Sequence, residues 1–311
     1  MERVELVGLG LATLDVLVRL REMPSWHGCS HFNDIRLDGG GCVGTAMVAA
    51  ARLGASAGFV GTAGNDEFAE RKLRSFVEDG VDLSRLLTLD APEDQLVLCY
   101  VNEDTGEREF SVKAGFLKRT LAPGELDREY LTSARYLLLD GSHFDAALRA
   151  AQWMRDAGKS VVLDGSKADG PVSPAMRTLV EHTDVLICAS GFAPGLTGVN
   201  DVVGSGRAVL DLGPGIVVQT DGEKGCDTIT AEEAFHTPAF AVDVVDTTGA
   251  GDVFHGAYLV GLLRGWDLHA TALFASAVAA IKCTRMGGRA GIPILDETTA
   301  FLRARGWDIP S

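Results

Sequence analysis

Missing from this chain of 311 residues is any apolar run long enough to cross a bilayer. The most apolar stretch, Ala272 to Ile281, is too short for a span and rich in alanine. The first residues carry no basic segment followed by an apolar one, the mark of a secretory signal, so a cytoplasmic protein is expected. Basic charge is scarce, with 28 Lys and Arg against 43 Asp and Glu and a net charge of −15. That balance argues against nucleic acid or a membrane as partner. The cysteines, at positions 29, 42, 99, 188, 226 and 283, form no C-x-x-C pair and no zinc spacing with histidine. Reduced thiols with structural or incidental roles are expected. No long linker, low-complexity tract or internal repeat divides the chain, which is expected to form one domain over 1–311.

What is there is an alternation of apolar runs and segments of helical period. "VELVGL" reads as a buried strand, residues 42–54 as a helix stopped by Gly54, and "AGFVG" as a short strand. A helix is expected after Asp66 as N-cap, with Gly80 as its stop and Phe68, Leu73, Phe76 and Val77 on one face. "RYLLLDG" with "DAALRAAQWMRDAG" repeats the strand–helix pair, and "SVVLDG", "DVLICA" and "GIVVQT" are further strands. Apolar strands between helices imply an α/β fold with a mostly parallel sheet covered on both faces. Ligands in such folds bind beyond the carboxyl ends of the strands. Two regions, at about 12–37 and about 96–113, alternate like half-exposed strands instead. They read as a small antiparallel sheet inserted into the α/β body, suited to a lid or a dimer surface.

The segment "DTTGAGD", Asp246 to Asp252, carries the chemistry. Gly249 and Gly251 permit backbone angles other residues avoid. The following residues have helical period, with Phe254, Ala257, Tyr258, Gly261 and Leu262 on one face, so a helix is expected to start near Ala250. Its first N–H groups have no intrahelical partner and its dipole is positive there, which suits phosphate. Asp252 in the first turn, expected to be ionised, is placed to take a proton from an attacking hydroxyl. Those are the parts of a phosphoryl-transfer site. The spacing alone is equally that of an ordinary cap after a glycine turn. "GLGLAT", Gly8 to Thr13, does not have the third glycine of a dinucleotide loop.

"VVDTTGAGDVFHGA" resembles the C-terminal signature of the PfkB, or ribokinase-like, family of sugar and nucleoside kinases. Asp38 to Ala55 resembles the family's N-terminal glycine motif, "FVGTAGNDEFAERKLRSFVEDGVD" its next strand–helix segment, and "VVQTDGEKGC" its Thr-x-Gly strand end. Order and spacing agree over nearly all of the chain. The resemblance implies a ribokinase-like three-layer fold with a small β-sheet lid. It implies an ATP-dependent carbohydrate kinase that uses Mg²⁺, possesses a K⁺ region, acts on a small sugar and dimerises through its lid sheets. It carries over Asp252 as catalytic base and Gly249, Ala250 and Gly251 as anion hole. Asp15, Gly40, Gly41 and Thr45 become substrate-binding residues. Thr220, Gly222, Cys283 and Gly287 fall to the nucleotide. Asp246 and Thr248, with the loop Arg285 to Gly291, match the monovalent-cation region.

The sequence departs from the family in two places. Thr45 stands where the glycine motif usually has asparagine. The family's Asn-x-x-Glu motif, which helps organise magnesium and phosphate, is replaced by Ala189 and Phe192, leaving Asp164 as a candidate for the metal. The C-terminal half is most similar to a subgroup that includes sulfofructose kinases. A sulfonate needs a cationic clamp; Cys29 stands where a lysine would be sought, and Arg108 and Lys113 lie on the later hairpin. The expected activity is transfer of the γ-phosphoryl group of ATP to a sugar hydroxyl. A nucleoside kinase, or a ligand-binding regulator that has lost turnover, are the alternatives.

Overall fold

A computed structural model describes residues 4–310. The strands are β1 (Leu6–Leu9), β2 (Thr13–Leu20), β3 (Asp34–Gly40), β4 (Ala57–Val60), β5 (Thr62–Ala63), β6 (Leu87–Thr88), β7 (Leu96–Asn102), β8 (Arg108–Val112), β9 (Tyr136–Leu139), β10 (Ser160–Asp164), β11 (Val185–Ala189), β12 (Ile216–Thr220), β13 (Cys226–Ile229) and β14 (Ala234–Thr237). The helices are α1 (Cys42–Arg52), α2 (Glu67–Glu78), α3 (Arg128–Ser133), α4 (Phe144–Asp156), α5 (Pro174–Val180), α6 (Phe192–Thr197), α7 (Val202–Leu210), α8 (Ala250–Arg264), α9 (Leu268–Cys283) and α10 (Leu295–Arg303). None is long and apolar enough to cross a membrane.

The large sheet has eight strands in the order β14-β13-β12-β11-β10-β9-β1-β4. From β4 to β12 every pairing is parallel, and β13 and β14 add an antiparallel edge. Its strands are apolar on both faces because both are covered. Val162 and Ile187 point into one core with α1, α8 and α9. Val161, Leu163, Leu186 and Cys188 point into the other with α4 to α7. The carboxyl ends of β10 and β11 meet the starts of α1 and α8, since Asp164 lies within 4.8 Å of Cys42 and Asp252, and His255 reaches Ile187 O.

The second sheet has the order β3-β2-β7-β8. Its central pair, β2 and β7, is parallel, with Asp15 opposite Val97. The expected all-antiparallel sheet is therefore corrected. Both strands leave the body in the same direction, and Leu14 N–H, at the base of β2, already donates to Gln95 O. The expected hairpin between β7 and β8 is present. Residues 29–33 form no strand; β3 begins at Asp34 and runs on to Gly40.

Two helix faces also differ from the apolar pattern. Asp66 caps α2 by accepting from Ala69 N–H, yet Phe68 and Val77 are exposed while Lys72, Ser75 and Phe76 are buried. The helix is rolled by charge: Lys72 Nζ lies 2.6 Å from Glu93 Oε2 with both side chains fully buried. Helix α8 is buried all round from Val253 to Gly261, because α1 and α9 sandwich it. Gly256 permits that approach, since a Cβ there would stand 2.3 Å from Ala46 O.

Candidate active site

Helix α8 starts at a left-handed residue, Gly249, with φ 74° and no side-chain cap. Ala250 N–H donates to Thr247 O and Val253 N–H to Gly249 O. Between them, the N–H groups of Gly251 and Asp252 find no protein acceptor among the described residues. A Cβ on Gly251 would meet nothing within 4 Å. The expected start near Ala250 is found, with open space over two unpaired donors. Asp252 stands half-buried in that first turn. Burial, and then the charge of Asp164, push its pKa up to about 6, against the pull of His255, Arg108 and Arg289.

His255 lies beneath Asp252. Its Nδ1 is 2.7 Å from Gly251 O and its Nε2 3.1 Å from Ile187 O. Carbonyl oxygens only accept, so these two contacts together favour a proton on both ring nitrogens, the imidazolium form. Burial alone would lower its pKa, but Asp164, with Oδ1 3.6 Å from Nε2, and the two carbonyls raise it. Asp164 itself is buried at the end of β10 and accepts from Ser166 N–H. The Cys42 thiol and the carboxylates of Asp164 and Asp252 lie within 4.8 Å of one another, so the starts of α1 and α8 converge here. Burial and those carboxylates raise the Cys42 pKa well above its usual value.

Across this point, Thr13 Oγ1 donates to Asp15 Oδ1 at 2.6 Å. Burial raises the Asp15 pKa to about 6. A Cβ on Gly40 would fall 2.1 Å from Asp15 Oδ2, and Gly41, with φ +84°, would clash with Ala12 Cα at 2.6 Å. Behind them sits Arg289, fully buried. It donates to Gly40 O at 2.6 Å, Ser75 Oγ at 2.9 Å and Thr45 Oγ1 at 3.3 Å, and its guanidinium stacks 4.2 Å over Phe76. Burial pushes its pKa down to about 10, opposed by Asp38, Asp15 and Asp252. Thr45, fully buried, thus faces the guanidinium. Sequence reasoning missed both Arg289 and His255. An arginine in a glycine-rich loop and a histidine one turn after Asp252 were the available signals.

Thr220 ends β12, and its hydroxyl donates to Cys188 O. Gly222, with φ +53°, has open space where a Cβ would point. Cys283 ends α9 with a buried thiol, while its carbonyl accepts from Val245 and Asp246 N–H. Gly287, with φ +110°, donates from its N–H to Asp246 Oδ2 at 2.8 Å, and Thr248 N–H donates to Asp246 Oδ1 at 2.8 Å. Phe192 is buried in the core beside α4 to α7 and offers no ligand. The small sheet also reaches the loop: Arg108 donates to Thr247 Oγ1 at 2.8 Å, and Thr247 in turn to Gly106 O in the hairpin turn.

A glycine-led helix start beside a carboxylate, at the carboxyl ends of a parallel sheet and under a small second sheet, defines a ribokinase-like kinase fold. The chain belongs to the pfkB family of carbohydrate kinases, whose sequence model matches residues 9–295. It is 28% identical over 307 residues to an ATP-dependent ribose-1-phosphate kinase of Halopiger xanaduensis, covering 97% of this chain and 99% of that one. It is 32% identical over 285 residues to the aminoimidazole riboside kinase of Salmonella typhimurium, covering 85% and 87%. A putative ribokinase from Agrobacterium tumefaciens superposes with a TM-score of 0.85 at 27% identity, covering 98% and 99%.

Proposed function

We propose that this kinase transfers the γ-phosphoryl group of ATP to a primary hydroxyl of a sugar held between the α/β body and the small sheet, the whole chain working as one unit. The observation that carries the reading is the start of α8, where two unpaired N–H groups and Asp252 share one open space. In this reading Asp15 and the backbone at Gly40 and Gly41 hold the sugar hydroxyls. Asp252 takes the proton of the attacking hydroxyl, and the amides at 249–252 neutralise the moving phosphoryl group. Thr220 and Gly222 border the ATP phosphates. The names of several relatives, among them a ribose-1-phosphate kinase and a 5-dehydro-2-deoxygluconokinase, support a sugar acceptor.

Magnesium fits the carboxylates present. Asp164 offers hard oxygens beside Asp252, and Mg²⁺ commonly keeps water and phosphate as its other ligands. Bound there, the ion would neutralise phosphate charge; Ala189 and Phe192 contribute nothing to it. Dimerisation through the lid is supported by the exposed Ile35, Leu37 and Leu98, which the strand register puts on one face of the small sheet with Val16 and Val18.

The test is ADP release with a panel of pentoses, hexoses, their phosphates and nucleosides. Turnover is expected with at least one sugar. Turnover with nucleosides alone would move the substrate class. Ligand binding without turnover on any of them would favour the regulatory alternative, which the apolar Ala189 and Phe192 motivate.

A further inference from the structure

The loop that begins at Asp246 is the region where the family resemblance places a monovalent cation, and the residues there do not fit one. Lys282, in the last turn of α9, is fully buried and donates from Nζ to Asp246 O at 2.8 Å. We propose that the Lys282 ammonium is the resident cation of this loop, so that the enzyme works without K⁺.

The surroundings are those a bound cation would need. Asp246 is fully buried, and its carboxylate is occupied by Thr248 and Gly287 N–H, two groups of the surrounding loops. Its own N–H and that of Val245 donate to Cys283 O, so the chain at 245–246 is tied to the end of α9. The last turn of a helix carries negative partial charge, and a buried carboxylate adds to it. Burial lowers the Lys282 pKa, and the Asp246 carboxylate beside it works to keep the positive charge in place. A tethered cation, unlike a free ion, loses no translational freedom at each association. A free cation seeking the carbonyl of Asp246 would have to displace the ammonium and lie against it, at a cost in like-charge repulsion. Lys282 is therefore a positioning residue. It fixes Asp246, from which the chain runs through Thr248 into the glycine turn at Gly249.

The inference rests on the kinase reading of that turn, but one arm of its test needs no substrate. Wild-type melting temperature, read in potassium and in tetramethylammonium chloride at equal ionic strength, is expected to be the same. Turnover of the best sugar in the two salts should agree within about twofold, since screening is matched. Activation by K⁺ of more than about tenfold, or a K⁺-specific rise in melting temperature, would overturn the proposal, because a preorganised charge behind an anion hole needs no supplement. Lys282→Ala should lose at least about tenfold in kcat in tetramethylammonium and recover part of it with K⁺ or NH₄⁺. Full turnover of that variant without any small cation would also overturn it. Should the variant not fold, the wild-type arms still decide.

Discussion

Two helices of this protein start in the same way and to different ends. Both α1 and α8 begin at a glycine of positive φ, Gly41 at 84° and Gly249 at 74°, and neither has a side-chain cap. Each stands near a carboxylate whose pKa burial has raised to about 6, Asp15 and Asp252 respectively. Each has a buried cation behind it, Arg289 under the glycines at α1 and His255 under Asp252. The difference is in what occupies the space freed by the glycines. At Gly40 and Gly41 it is protein, at 2.1 Å from Asp15 Oδ2 and 2.6 Å from Ala12 Cα. At α8 Gly249 is also backed by protein, with Gly288 O at 3.0 Å, but at Gly251, two residues on, the space is open. Close-packed glycines shape a rigid rim, while an uncovered one leaves an approach for a ligand.

Removing each carboxylate should break the likeness most strongly. Asp252→Asn should lower kcat by at least ~10², the lower end of general-base effects, and leave KM for the sugar nearly unchanged. Asp15→Asn should instead raise that KM. Turnover near normal in Asp252→Asn would remove the base from the mechanism. Loss of fold is not the expected cause. A carboxylate raised from 3.8 to about 6 holds its stabilising proton below 3.8 and loses that contribution as pH rises through 6. Asp252→Asn should therefore melt no lower than wild type at pH 8, and any gain should vanish toward pH 4.

Glycine substitutions sharpen the comparison at smaller effect. Gly40→Ala forces a methyl group onto Asp15 and should cost about 1–3 kcal/mol of stability, as overpacking does, with weaker sugar binding. Gly251→Ala meets no neighbour and gains helix propensity, so it should melt at or slightly above the wild-type temperature, by up to about 1 kcal/mol. Its methyl group nevertheless projects into the proposed phosphate path, and kcat should fall. Thermal melts and steady-state kinetics on both variants check this. Equal destabilisation by the two, or full activity in Gly251→Ala, would erase the distinction.

How legible this was in the sequence depended on the kind of residue. Apolar period and glycine stops placed α1, α8 and the parallel strands, because those signals are local. The turn "DTTGAGD" could be read as a helix start because unpaired amides and glycine freedom are consequences of chain geometry alone. The roll of α2 was hidden. Its inner face is set by Lys72 and by Phe76 under Arg289, and their partners, Glu93 and Arg289, lie far along the chain. Apolar counting assigns such charged side chains to the surface. Thr45 was carried over as a sugar contact from the family resemblance; that its hydroxyl accepts from Arg289, 244 residues later, is a contact no local pattern shows.

The smallest effect concerns the cations. His255 lowers the pKa of Asp252, and Asp164 together with the carbonyls beside both its nitrogens favours its charged form. His255→Gln keeps donors in the pocket but removes the charge. The Asp252 pKa should then rise above its present value of about 6. A base works only when deprotonated, so wild-type kcat should fall as pH drops through about 6, and the variant should lose activity at higher pH than that. A merely structural role for His255 would lower kcat at every pH alike and leave the midpoint of the acid limb in place. Comparing kcat against pH for the two proteins, with melting temperature as a control, separates these outcomes. A displaced limb would mean that the start of α8 differs from that of α1 in its tuning as well as in its open space.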